Sequence, residues 1–315
     1  MSEQSAPATA RALVVGEALV DVVLRPGDEP AEHPGGSPAN VAIGLGRLGR
    51  RVDLLTWLGD DAHGDLVRAH LESSGVHVLA GDRRPERTPV ARAHVDEAGV
   101  ASYEFDLTWD LPDRWDESDG EALVVHTGSI ATVIEPGGEA VARLLADRRA
   151  TATLTYDPNL RPALMGSPER TLPVVERLVG LADVVKVSDE DLGWLHPGVA
   201  PVEVARDWVG RGPALVVVTL GGEGALAVTA GGDELTVTAP RVQVADTVGA
   251  GDSFMAGLVD GLWTAGLLGA DARDRLRAVD VATVERVLAR CVAIAAITVS
   301  RAGANPPTSA ELGEA

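Results

Sequence analysis

Short, uninterrupted apolar runs return along this chain at intervals that leave room for one helix between them. The runs lie at 12–15, 51–57, 122–126, 152–156, 184–187 and 214–220. Such runs, lacking a polar alternate, are the mark of strands buried on both faces. Helical periodicity fills the gaps at 39–48, 64–73, 139–147, 168–179 and 202–209. Strand–helix alternation of this kind predicts right-handed crossovers: a mostly parallel central sheet with helices on both faces. The second half adds a hairpin, with strands 216–220 and 225–229 about a Gly-rich turn, and then helices at 253–265 and 281–300. Two stretches fall outside this scheme. One is 20–24 with the polar tract 25–33; the other is the pair 90–95 and 100–106 about Asp96-Glu-Ala-Gly99, a good hairpin turn. We expect these stretches, about 20–33 and 90–106, to form a small β-lid over the C-terminal edge of the main sheet. The whole chain, 1–315, reads as one α/β domain without repeats or linkers.

Composition narrows the function. Aspartate and glutamate number 47 against 27 lysines and arginines, a net charge of −20. A polyanion needs a basic face, so nucleic acid is not an expected partner, and neither is an anionic membrane surface. No apolar run reaches the ~20 residues of a membrane span. Residues 1–11 lack a cationic segment ahead of an apolar one, so a cytoplasmic enzyme is the expectation. Cys291 is the only cysteine, which excludes an intrachain disulfide and a cysteine-based metal cluster. It lies in an apolar run and is expected in the core. Lys186 is the only lysine.

Two glycine-rich strings carry chemistry. Residues 246–257 read DTVGAGDSFMAG, with a helix starting near Asp252. The N–H groups of Gly249, Ala250 and Gly251 can converge on an anion at that helix N-terminus. Beside them Asp252 can take a proton from an attacking hydroxyl while the amides hold developing negative charge. The simpler role for Asp252 is a helix N-cap. Residues 35–49 read GGSPANVAIGLGRLG, and Asn40, one turn into a helix, can present its amide to polyol hydroxyls. Gly44 to Gly49 match the dinucleotide fingerprint literally. Ser37 and Pro38 start a helix ahead of them, however, so these glycines lie inside a helix and not at a strand-to-helix turn. The chain has no Gly-Lys-Ser/Thr and no protein-kinase motifs. His63, His70 and His77 recur every seven residues, but no carboxylate–histidine signature goes with them, so no metal role is expected. Trp109 and Trp115 either touch substrate or pack.

Taken together, the two strings resemble the two signatures of the ribokinase-like sugar kinases, the phosphofructokinase-B type family. GEALVD at 16–21, LGDDAHG at 58–64, YDPNLR at 156–161, KVSDED at 186–191, TLGGEGA at 219–225 and RAGA at 301–304 follow the family order. The resemblance implies a ribokinase-like fold and an ATP-dependent carbohydrate kinase. It implies Asp252 as general base and the amides of Gly249, Ala250 and Gly251 as the anion hole. Asp21, Gly35, Gly36, Asn40, Asn159 and Arg161 would hold the sugar, and Ser188, Thr219, Gly221, Gly222, Gly224 and Asn305 the ATP. Mg²⁺ would be organised through water by Asp191; here Ser188 and Asp191 stand where the family usually has Asn and Glu. Asp246, Val248, Thr298, Arg301 and Gly303 would form a loop for a monovalent cation such as K⁺. The closest resemblance is to fructokinases, with a primary hydroxyl of D-fructose as acceptor. A 2-keto-3-deoxygluconate kinase, with Arg92 and Arg161 as candidate carboxylate partners, stays open, as do ribokinase and nucleoside kinase activities. A reading of a different class is a sugar-sensing protein without turnover. Lids of this family commonly pair across a homodimer.

Overall fold

The computed structural model describes residues 10–79, 81–95, 101–120 and 122–313. The first half runs β1 (Arg11–Val15), β2 (Leu19–Leu24), β3 (Ala31–Gly35), α1 (Ser37–Arg47), β4 (Val52–Leu55), α2 (Ala62–Glu72), β5 (Val76–Val78), β6 (Val90–Val95), β7 (Ala101–Asp106), β8 (Ala122–Gly128) and α3 (Gly137–Arg148). The second runs β9 (Thr153–Asp157), α4 (Pro162–Met165), α5 (Pro168–Leu181), β10 (Val184–Ser188), α6 (Asp189–Leu195), α7 (Pro201–Arg211), β11 (Leu215–Thr219), β12 (Ala225–Thr229), β13 (Glu234–Val237), α8 (Ala250–Thr264), α9 (Arg273–Arg277) and α10 (Val281–Val299).

Among the described residues nine strands form the main sheet, in the order β13-β12-β11-β10-β9-β8-β1-β4-β5. Every pairing from β5 to β11 is parallel; β12 and β13 join antiparallel at one edge. Alternate residues of each strand feed two apolar cores. One lies against α1, α2, α8 and α10, the other against α3, α5, α6 and α7. Helix α8 is buried without a break from Asp252 to Trp263. Glycines allow its neighbours to close on it: a Cβ at Gly44 of α1 would lie 2.6 Å from that of Ala256. Gly44 and Gly46 are thus interior to α1, and their use is helix packing. Cys291 is fully buried on α10.

A second sheet, β3-β2-β6-β7, joins the pieces that did not fit the main sheet. Its first hairpin reaches further than expected, since β3 runs to Gly35 and the polar tract supplies a strand, pairing Asp21 with His33. The turn expected at 96–99 lies outside the described residues. Among the described residues no helix is long and apolar enough to cross a membrane.

Candidate active site

The parallel strands end together, and the loops after them meet the start of α8. Asp252 stands in the first turn of that helix, 6% exposed. Both its oxygens are held: Oδ1 accepts from the Ser37 hydroxyl at 2.6 Å and Oδ2 from the Asn40 amide at 2.8 Å. Ser37 and Asn40 are three apart at the beginning of α1, so they share one face of that helix. Its entry is fixed by Gly36 at φ 108° and by Pro38 in the first turn. Only glycine fits there, because a Cβ at Gly36 would lie 2.5 Å from the Glu17 carbonyl oxygen.

From the end of β9, Asn159 (φ 38°) reaches the same centre. Its amide donates to Ser37 Oγ at 2.6 Å and lies 3.3 Å from Asp252 Oδ1. Arg161 Nη1 in turn donates to Asn159 Oδ1 at 2.7 Å, which fixes the orientation of that amide. Asn40, Asn159, Arg161 and Asp252 therefore form one hydrogen-bonded group. Asp252 is its hub. Ser37, bonded to Asp252 and Asn159, was not singled out from the sequence; its signal was a hydroxyl residue ahead of Pro38 at a helix start.

A buried ion pair lies next to this group. Lys186 Nζ donates to Asp157 Oδ2 at 2.9 Å, with both side chains nearly inaccessible. Lys186 also abuts the turn that begins α8, since a Cβ at Gly251 would lie 2.8 Å from Nζ. Burial raises the Asp157 carboxyl to about 6 against the pull of Lys186. For Lys186, burial works to lower the pKa, and the carboxylates of Asp157, Asp191 and Asp252 outweigh it and raise it. Asp157 Oδ1 is buried without a partner. Asp191 closes a capping box with Ser188 and accepts from the Leu160 N–H at 3.0 Å, which ties α6 to the Asn159 loop.

Other predicted residues spread outward. Ser188 and Thr219 are register partners at the ends of β10 and β11. Gly221 and Gly222 lie in the exposed turn that follows, and Gly224 (φ 115°) closes it. Asn305 Oδ1 accepts from Arg47 Nη1. Gly249 takes φ 74° against Ala304. The Ala250 N–H donates to the Thr247 carbonyl at 3.3 Å, whereas those of Gly249 and Gly251 make no such bond among the described residues.

In the loop expected to hold a monovalent cation, Asp246 and Gly303 are brought together. Asp246 accepts from the Val248 and Gly303 N–H groups, which hold its carboxyl below the usual range. The Thr298 hydroxyl is turned to the Ile294 carbonyl, and Arg301 is paired with Glu311.

Asp21 and Gly35 belong to the second sheet. A Gly35 Cβ would collide with the Asp21 carboxylate, and Asp21 feels the charges of His33 and Arg161. Arg92 pairs with Val22, one position out of step with Asp21, so it faces the other side of that sheet. Trp109 and Trp115 pack: their indole N–H groups donate to the Ala131 carbonyl and to Glu117. His63 pairs with Glu32 and His77 with Asp53. Among the described residues no three His, Cys, Asp or Glu side chains converge on a metal.

A large, mostly parallel sheet flanked by helices, with a small second sheet, is the architecture of the ribokinase-like kinases. The model of the pfkB family carbohydrate kinases matches residues 9–311, and the chain belongs to that family. It is 36% identical, over 79% of each chain, to a fructokinase of Rhizobium leguminosarum bv. trifolii. The fructokinase of Xylella fastidiosa, solved with bound ATP, superposes with a TM-score of 0.80 at 25% identity, over 96% of this chain and 97% of that one. The fructokinase of Vibrio cholerae O395, solved as a double mutant with fructose, ADP and potassium, gives 0.75 at 27% identity over 94% of each. The protein is an ATP-dependent sugar kinase.

Proposed function

We propose that the chain is a cytoplasmic fructokinase that transfers the γ-phosphoryl group of ATP to a primary hydroxyl of D-fructose. The observation that carries this reading is the grip on Asp252. Donors at both oxygens hold its carboxylate in one orientation, from which it can take a proton. The sugar hydroxyl gives its proton to Asp252 as its oxygen attacks the γ-phosphorus; the bond to the bridging oxygen breaks and ADP leaves. The amides of Gly249, Ala250 and Gly251 at the α8 N-terminus face the charge on the transferring group, with Ala250 first releasing its long bond to Thr247. Asp21, Gly35, Gly36, Asn40, Asn159 and Arg161 hold the sugar, and Ser188, Thr219, Gly221, Gly222, Gly224 and Asn305 the nucleotide. The second sheet acts as the lid that excludes water, and two copies pair through it.

ATP brings a divalent cation. Its fit rests on the donor set. Asp191 offers hard carboxylate oxygens, and three neighbouring carboxylates face one lysine, so the centre has negative charge to spare. With no direct ligand cluster among the described residues, Asp191 would hold Mg²⁺ through water, and the cation would supply screening of phosphate charge. A monovalent cation would lie by the Asp246 loop and order it. The placement of Arg92 away from Asp21 favours fructose over an acid sugar.

The test is a panel of kcat/KM values for fructose, 2-keto-3-deoxygluconate, ribose and adenosine with Mg-ATP, run beside Asp252→Asn. Fructose should rank first. The variant should keep its fold and bind fructose but lose about 10²–10⁴ in turnover. A higher rank for the keto acid would refute the substrate, and turnover above about a tenth would refute the base.

A further inference from the structure

Glu17 is a carboxylate where a chain normally places an apolar residue. It follows β1, is 4% exposed, and Ala131 N–H donates to its Oε2 at 3.1 Å. The Ser129 side chain and Glu17's own N–H also favour the ionised carboxylate. Ala131 is held from the other side as well, its carbonyl accepting from Trp109 at 2.8 Å. Ser129 adopts φ 56°, a left-handed conformation that a serine keeps only under outside constraint. The Thr132 hydroxyl donates to the Ser129 carbonyl at 2.8 Å and completes the turn Ser129–Thr132. On its backbone side Glu17 touches the start of α1. Its carbonyl oxygen lies under Gly36, and a Cβ on the preceding Gly16 would meet Pro38 at 2.3 Å.

We propose that Glu17 is a positioning residue of the sugar site, whose ionised carboxylate locks the turn Ser129–Thr132 to the bend on which Ser37 and Asn40 rest. The inference rests on the sugar-kinase reading of that site and goes beyond it. Two of the three groups facing the carboxylate are N–H donors, which can only donate. A proton on Glu17 can then be given only to the Ser129 hydroxyl, which reverses that bond and turns the brace from charge-assisted to neutral. Arg161, on the loop after β9, is the charged group whose field reaches Glu17; the turn Ser129–Thr132 and the start of α1 contribute none. Burial raises the Glu17 carboxyl to about 7, against its hydrogen bonds and Arg161, so the brace is set and released near neutrality. Sugar binding, which needs the brace, then expels a proton.

The experiment is calorimetric titration of fructose into the full chain, without nucleotide, between about pH 6 and pH 8, in two buffers of different ionisation heat. Affinity should rise about tenfold across that range, the scale of one hydrogen bond to a charged group. About half a proton should be released per sugar near pH 7. Glu17→Gln should bind weakly throughout and release none. Where Glu17→Gln does not fold, Ser129→Ala decides: with one donor lost, proton release should centre at a higher pH. Affinity flat with pH in the wild type, release persisting in Glu17→Gln, or an unmoved centre in Ser129→Ala would each overturn the role of Glu17. If fructose gives no heat while another sugar of the panel is turned over, the substrate reading fails. The same titration with that sugar then decides Glu17 separately.

Discussion

Lys186→Met isolates the buried pair beside the active-site turn, and its effect can be worked out from the protonation of Asp157. The substitution removes the ammonium and retains an unbranched apolar stem of similar length. In the wild type the Asp157 carboxyl, 3.8 in an ordinary environment, sits at about 6 with Lys186 beside it. Without Lys186 nothing opposes burial, and Asp157 stays protonated in the folded variant at neutral pH. The sign follows from the raised folded value. Folding with a raised carboxyl loses stability as pH climbs from the unfolded value to the folded one. The wild type stops losing near 6, whereas the variant goes on to its own higher value. Each pH unit above 6 therefore adds about 1.4 kcal/mol to the deficit of the variant. Between pH 6 and pH 8 the deficit should grow by roughly 3 kcal/mol, comparable with the ~3–5 kcal/mol for breaking a buried pair outright. Below pH 6 it should level at whatever the repacked methionine sets. Urea unfolding followed by circular dichroism at about pH 5.5, 7 and 8 gives the three values. A deficit that is constant across the range, or that shrinks as pH rises, would refute the coupling of Lys186 to Asp157.

Two further substitutions test the surroundings. Gly249→Ala forces a left-handed alanine with its Cβ 2.6 Å from that of Ala304; it should cost about 1–3 kcal/mol in thermal unfolding and raise KM for ATP more than KM for sugar. Arg92→Ala should leave kcat/KM for fructose within about twofold, whereas Arg161→Ala, which releases Asn159, should lower it by about tenfold or more; equal losses in the steady-state assay would mean that both arginines serve the sugar.

Long apolar strands were legible because a strand buried on both faces must be apolar at every position, a constraint that leaves its mark on sequence. The elements missed are those that neighbours hold in place. β5 is three residues at a sheet edge, β13 alternates between exposed and half-buried, and β3 contains Glu32, His33 and Pro34. Their backbone hydrogen bonds come from the strands they pair with, β4, β12 and β2. The acidic tract at Asp189 was legible as a helix start, and α6 begins there on a Ser188–Asp191 capping box. In the site, Asp252 and the residues about it could be picked out from glycine spacing. Partner choice could not. Lys186 stood out as a count of one, yet only the register of β9 and β10 shows that it faces Asp157. Arg301 and Asn305, named for ligands, have Glu311 and Arg47 as partners, which sequence order does not reveal.

The acidity of the chain and its anionic co-substrate are reconciled in how each carboxylate near the centre is held. No basic residue occurs between Arg241 and Arg273, the stretch that contains the whole glycine-rich turn and α8. Positive potential there must come from the backbone at the start of α8 and from Lys186 below it. An added side-chain cation in this turn would compete for Asp252, which instead accepts from the neutral donors Ser37 and Asn40. Neutral donors fix a carboxylate without supplying a counter-charge. Asp157 is given the lysine, and Asp191 the helix start. Lys186 thus goes to the carboxylate that has no hydroxyl or amide donor of its own among the described residues, and Asp252 makes no direct ion pair there, the arrangement that suits the proposed proton acceptor.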